Sequence, residues 1–220
     1  MAINSRQLGK ELKAALHKMW WHVRLLRAYN VNRDETICGV QHHKFIFDRM
    51  IESFVNFLII ELCAVTDVNN RRGATFTIWL QQLIDAEVDS DDKNLLLNQK
   101  STYDIFCSSP EYQGIKTRRD KAYAHRDQDR QSAFTLPGNT YGDLFGGVEK
   151  LMNIYDAVAS IGEADITNWS GPPDADLYTT VGNNADTTPE ELLIELMHSL
   201  ENQAHQEKWH IDLNQRSPSR

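Results

Sequence analysis

The chain is poor in cysteine and has no long apolar run. Three of its 220 residues are cysteine. Cys38, Cys63 and Cys107 are odd in number, far apart and without a Cys-x-x-Cys pair, which argues against a disulfide framework and against a structural zinc site. They fit a reducing compartment, and a cytoplasmic location is expected. The most apolar stretch, Phe54 to Leu62, is interrupted by Asn56 and Glu61 and is too short to span a bilayer, so no membrane association is expected. No apolar segment follows Met1-Ala2-Ile3-Asn4-Ser5-Arg6, which speaks against a signal peptide. There is no P-loop and no dinucleotide fingerprint. Asp89 to Asp92 lacks the Gly and the closing Glu of a calcium loop. His17, His22 and the His42-His43 pair lack ligand spacing with carboxylates. Neither a metal nor a cofactor is expected.

What is present is an ordinary globular composition, 41% hydrophobic and 25% charged, with an uneven charge. The net of -8 combines a basic start with an acidic end. Residues 1–33 carry seven Lys/Arg against Glu11, whereas residues 137–214 carry fourteen Asp/Glu against Lys150 and Lys208. Such asymmetry speaks to partners. A basic first helix can follow a phosphate backbone, and an acidic end can repel nucleic acid or cover the basic one. Trp20 and Trp21 beside those basic residues could stack on single-stranded RNA; core packing is the competing reading.

Apolar periodicity predicts helices throughout. Leu8, Leu12, Ala15, Leu16, Met19, Val23 and Leu26 recur at three- and four-residue steps, which predicts an amphipathic helix from Ser5 to about Tyr29. Asn30 to Gly39 reads as a loop. A second helix, Gln41 to Asp67, is apolar on nearly all sides and is expected to be central. After the break at Asn69 to Gly73, a shorter helix is expected from Thr75 to about Ala86. Asp89-Ser90-Asp91-Asp92 reads as a turn and the N-cap region of a helix through Leu95, Leu96 and Leu97, of a length the sequence leaves open. Ser109 and Pro110 read as N-cap and first position of a helix running to about Asp127. Pro137-Gly138 marks a loop, and Thr140 to about Ile161 is the next helix. Residues 163–187 are rich in Gly, Pro, Asn, Asp and Thr and are expected to be irregular. Thr188-Pro189-Glu190-Glu191 has the form of a capping box before a last amphipathic helix. The expected architecture is an all-α, antiparallel helical bundle over residues 1–162, with residues 163–220 forming an irregular acidic excursion and an extra C-terminal helix.

One segment carries chemistry. RNA is cut by its own 2′-hydroxyl when a group moves the proton and positive charge meets the phosphate. Histidine suits the first task because its pKa lies near neutrality, and arginine suits the second through paired donors. Arg119, Asp120 and His125 supply both, with a polar neighbour to orient them. Arg118, Lys121 and Arg126 are candidate phosphate contacts, with Lys116 and Arg130 nearby; a solvated charged face is the other reading of these. At about 100° per residue, Arg119 and His125 point away from each other, whereas Arg118 and His125 share a face. Either Arg118 is the closer partner, or two copies of the chain share one site.

The string Arg119-Asp120-Lys121-Ala122-Tyr123-Ala124-His125-Arg126-Asp127 resembles the Arg-polar-x(3–5)-His signature of the HEPN superfamily, in particular its abortive-infection U-type branch. That branch also tends to end its long apolar helix in Thr-Asp, followed by a polar break and a short helix. Ile59 to Asp67, with Thr66-Asp67 at its end, and Phe76 to Leu83 are similar. The resemblance covers roughly residues 5–160. It implies a helical bundle that dimerises with two Arg/His motifs facing each other. It also implies a metal-independent endoribonuclease that leaves a 2′,3′-cyclic phosphate, working in phage defence or as a toxin. RNA, a second copy of the chain, and an antitoxin or defence protein are the partners it implies. Arg119 matches the family arginine, His125 the histidine and Asp120 the polar position, where Asn is frequent in nucleases. An acid beside the arginine weakens the attraction for phosphate. The alternative is a non-catalytic module in which the same helix dimerises or binds a partner protein or nucleic acid.

Overall fold

A computed structural model describes residues 5–32, 44–67, 73–87, 89–124, 137–138, 140–162, 193 and 198. Among them there is no strand, and six α-helices follow one another. These are α1 (Ser5–Asn32), α2 (Lys44–Thr66), α3 (Phe76–Ala86), α4 (Ser90–Ser108), α5 (Pro110–Arg118) and α6 (Tyr141–Val158), with a π-helical turn, Arg119–Ala124, continuing α5. The fold class is all-α, as the periodicity predicts.

The helix boundaries follow local chemistry. Thr75 caps α3 by accepting from the Ile78 N–H, and Asp89 caps α4 by accepting from the N–H groups of Asp91 and Asp92. Ser109 accepts from the Tyr112 N–H, with Pro110 opening α5. Side-chain oxygens here satisfy backbone donors that have no partner within the helix. At α6 a reciprocal capping box joins Thr140 and Asp143, a pairing the sequence reading did not single out. The box expected at Thr188 lies outside the described residues. So do residues 33–39 of the loop expected from Asn30 to Gly39 and the end of the helix predicted to reach Asp127.

The chain divides into two compact units, one comprising residues 1–20 and 56–173, the other residues 21–55 and 174–220. In the first, α4 packs against α3, α5 and α6. Its interior is built from Leu8, Leu12 and Leu16 of α1, Leu58, Ile59 and Leu62 of α2, Trp79 and Leu80 of α3, and Val148, Leu151 and Tyr155 of α6. Trp79 stacks on Tyr155 at a centroid distance of 5.1 Å. Two glycines sit at close approaches. Gly147 lets α6 come near Leu62 and Phe106, where a Cβ would sit 3.3 Å and 3.4 Å from their side chains. Gly138 has φ +88°, and a Cβ there would collide with the Glu111 carbonyl oxygen, so the Pro137-Gly138 turn closes against the start of α5.

In the second unit, Ala28, Phe47 and Leu193 form a small core flanked by Leu25, Tyr29 and Met50. Tyr29 stacks on Phe47 at 6.0 Å and His22 meets Phe54 edge-on at 5.1 Å. Trp21 is buried, which is the packing reading rather than an exposed stacking platform. Leu193 is helical and buried, and His198 is helical and exposed.

Three expectations change. The first helix runs three residues beyond Tyr29, to Asn32, because polar Asn30 and Asn32 end a helix less firmly than Gly or Pro does. The helix over 140–161 stops at Val158 and closes in turns. The second helix is not packed on nearly all sides. Phe47, Ile51, Val55, Leu58, Ile59 and Leu62 are buried along one stripe, whereas Phe45 is 72% exposed, Ile46 62% and Ile60 45%. Spacing sets which side faces the core, and high apolar content alone does not.

Candidate functional site

The end of α2 is held by a closed set of hydrogen bonds. Thr66 is buried, and its hydroxyl bonds back to the Leu62 carbonyl at 2.6 Å and the Cys63 carbonyl at 3.2 Å, as Ser and Thr do inside helices. The same Oγ1 lies 2.5 Å from the Tyr112 hydroxyl of α5. Tyr103 of α4 donates to the Thr66 carbonyl at 3.1 Å, with Thr77 Oγ1 3.0 Å from its hydroxyl. One threonine thus joins α2 to α4 and α5, and buried polar groups answer one another.

Burial governs the protons here. Desolvation pushes the Cys63 thiol up to about 12, against the opposing charges of Arg119 and Lys116. Desolvation likewise raises Tyr112, despite its bond to Thr66, and Tyr103. All three stay neutral at physiological pH, so Cys63 is not a thiolate nucleophile.

Asp67 follows Thr66 directly and lies opposite the end of α5. The α-helix stops at Arg118, and Arg119 sits at its C-terminus, its N–H donating to the carbonyls of Ile115 and Lys116. From Arg119 to Ala124 the backbone widens into a π-helical turn, a rare conformation often found at functional sites. The 100° step therefore fails across this segment. Arg119 donates from Nε to Asp120 Oδ1 at 2.8 Å, and Nη2 lies 2.7 Å from the same oxygen. Its Nη1 is 3.6 Å from Asp67 Oδ2. The side chains of Arg119 and Asp67 are 21% and 25% exposed, and that of Asp120 is 42%. Burial works to lower the Arg119 pKa, but the Asp120 hydrogen bond, with Cys63, the Asp120 charge and, last, Asp67 adding to it, outweighs burial, and the net shift is upward. Arg119 is a fixed cation.

Of the residues singled out in the sequence, Arg119 and Asp120 are thus in contact. Lys116, Arg118 and Lys121 are partly exposed on the same segment, and the cations of Lys116 and Arg118 suit the C-terminal turn of α5. His125, Arg126 and Arg130 lie outside the described residues, and with them the choice between Arg118 and Arg119 as partner of His125. Asp67 received no role from the sequence. The signal for it was the Thr66-Asp67 pair at the end of an apolar helix, but no spacing rule links position 67 to position 119. Among the described residues, no group of three or more His, Cys, Asp and Glu is placed to hold a metal ion. No helix among them is long and apolar enough to cross a membrane.

Comparison with known families matches residues 5–175 to the HEPN family described as AbiU2. No curated protein and no solved structure matches the chain. The match takes in all six described α-helices, the Thr66-Asp67 end of α2 and the π turn that carries Arg119. The chain belongs to the AbiU2 family of HEPN proteins.

Proposed function

We propose that the chain is a metal-independent HEPN endoribonuclease acting in abortive infection, as the family's name suggests. The observation that carries this reading is Arg119, a partly buried guanidinium oriented from two sides at the mouth of a π-helical turn. In the reaction, the 2′-oxygen of a ribose attacks the adjacent phosphorus and the 5′-oxygen of the next nucleotide leaves. The products are a 2′,3′-cyclic phosphate and a 5′-hydroxyl. His125 takes the proton from the 2′-hydroxyl or delivers one to the leaving oxygen. Arg119 neutralises charge on the non-bridging oxygens, Asp120 orients it, and Arg118, Lys121 and Arg126 hold flanking phosphates. Two copies facing each other across this segment form one cleft.

The test is incubation of the purified protein with single-stranded and structured RNA in EDTA. Cleavage is expected to fall at least about a hundredfold in Arg119→Ala and in His125→Ala, with helicity by circular dichroism unchanged. Cleavage by both variants as fast as by the parent chain would overturn the assignment.

A second reading has its own support. Asp120 occupies both Nε and Nη2 of Arg119, the edge that would grip a phosphate. Under this reading the segment is a non-catalytic module that dimerises or binds a partner. The same variants would then change oligomeric state, by light scattering, while no RNA is cut.

A further inference from the structure

The two carboxylates on Arg119 differ in how they are held. Asp120 sits in the π turn, has the shorter contacts, 2.7 Å and 2.8 Å, and is the more exposed at 42%. Rotating it into water costs little, because its carboxylate is readily rehydrated. Asp67 has the longer contact, 3.6 Å, and is 25% exposed. Its backbone follows Thr66, whose hydroxyl and carbonyl are fixed by Leu62, Cys63, Tyr112 and Tyr103. These bonds come from α2, α4 and α5, and α5 is also the helix that ends at Arg119. Both members of the Asp67–Arg119 pair are therefore set by the same group of helices.

We infer that Asp67 is the positioning residue for Arg119. It holds the Nη1 end of the guanidinium in place, while Asp120 orients the arginine only until RNA binds and then yields the Nε/Nη2 edge to the incoming phosphate. This rests on the endoribonuclease reading for its consequence in catalysis, but the placement of Arg119 by Asp67 stands apart from it. A phosphate that displaces Asp120 meets a guanidinium already aimed and still charge-compensated on its far side. Losing Asp67 leaves Arg119 able to swing, and a misplacement of this kind costs rate more than affinity. The polar knot at Thr66 supplies the rigidity, as supporting shells do around catalytic groups.

The experiment uses the full chain with Asp67→Asn, Asp67→Glu, Arg119→Ala and the double variant Asp67→Asn/Arg119→Ala. Two readouts are taken. The first is RNA cleavage, where Asp67→Asn is expected to lower kcat about tenfold to a hundredfold with KM little changed. Asp67→Glu is expected to recover part of the loss, and Asp67→Asn to add nothing to Arg119→Ala. The second readout is independent of activity. In arginine-15N-labelled protein, the Arg119 Nε–H signal, assigned by its loss in Arg119→Lys, is expected to report faster guanidinium rotation in Asp67→Asn. A kcat in Asp67→Asn equal to that of the parent, or a loss that multiplies with that of Arg119→Ala, overturns the positioning role. If the parent chain cuts no RNA, the endoribonuclease reading falls and the signal alone decides. An Arg119 signal unchanged by Asp67→Asn overturns the inference, and one that loosens upholds it. Asp67→Glu gives the same readouts should Asp67→Asn lose its fold.

Discussion

The two ends of α2 differ in composition and still more in how they are held. The first, Lys44 to Val55, belongs to the smaller unit, buries Phe47 and Ile51, and leaves Phe45 and Ile46 largely exposed. The second, Asn56 to Thr66, buries Leu58, Ile59, Leu62 and Cys63 completely and ends in a threonine bonded to three helices. The first end carries Lys44, Asp48, Arg49 and Glu52, the second Glu61 alone, but composition by itself fixes no side chain in place. The second end differs because packing and hydrogen-bond closure coincide there, and a side chain that follows such a closure is held where it points. Asp67 is that side chain, and Arg119 is what it faces.

The comparison is open to direct attack, and the largest effect is expected in the buried end. Leu62→Ala removes a wholly buried side chain and is expected to cost about 2–5 kcal/mol. Phe45→Ala, at a mostly exposed position, is expected to stay within about 0.5 kcal/mol. Urea unfolding followed by circular dichroism measures both, and equal losses would erase the distinction between the ends.

Next in size is Thr66→Val, which keeps the shape and deletes the hydroxyl. The Tyr112 hydroxyl then loses its recorded partner inside the fold, a loss of about 1–3 kcal/mol. The Arg119→Ala rate deficit should shrink in this background if the knot at Thr66 serves to aim Arg119.

A smaller, graded effect is expected from pH. Cys63 has its ordinary pKa of 9.0 when unfolded and about 12 when folded. Between these values the folded state binds more protons than the unfolded one. Stability contributed by the protonated thiol is therefore full below pH 9 and declines as pH rises towards 12. The slope is about 1.4 kcal/mol per pH unit from this thiol alone. Tyr103 and Tyr112 are raised in the same sense and steepen the decline above their ordinary range. Unfolding midpoints measured at a series of alkaline pH values test this, and Cys63→Ala should flatten the first part of the slope.

Much of the fold was legible because helices announce themselves locally. The Asp89 to Asp92 turn and the Ser109-Pro110 pair each mark a helix start that the structure has, since a cap needs only its own neighbours. Thr140 and Asp143 carry a capping box just as local, but it is closed by Asp where Glu or Gln is the usual signal. Part of the exposure of α2 was missed because a run such as Phe45-Ile46-Phe47 holds two readings, and only the partners decide which residue faces inward. The site was legible as a string around Arg119 and Asp120. Its third member was not, because Asp67 meets Arg119 through tertiary packing that no periodicity encodes. The π turn was equally hidden, since the expectation of 100° per residue presumes an α-helix through Ala124.

In the proposed reaction Arg119, fixed at the end of α5, neutralises phosphate charge while RNA is cut by its own 2′-hydroxyl. The most direct measurement is the chemistry of the ends left on RNA by the purified chain in EDTA, compared between the parent and Arg119→Ala. 2′,3′-Cyclic phosphate and 5′-hydroxyl ends are expected from the parent, and their near disappearance in Arg119→Ala with the helical fold intact. Ends bearing a 3′-hydroxyl and 5′-phosphate, or cyclic ends formed as fast by Arg119→Ala as by the parent, would contradict it.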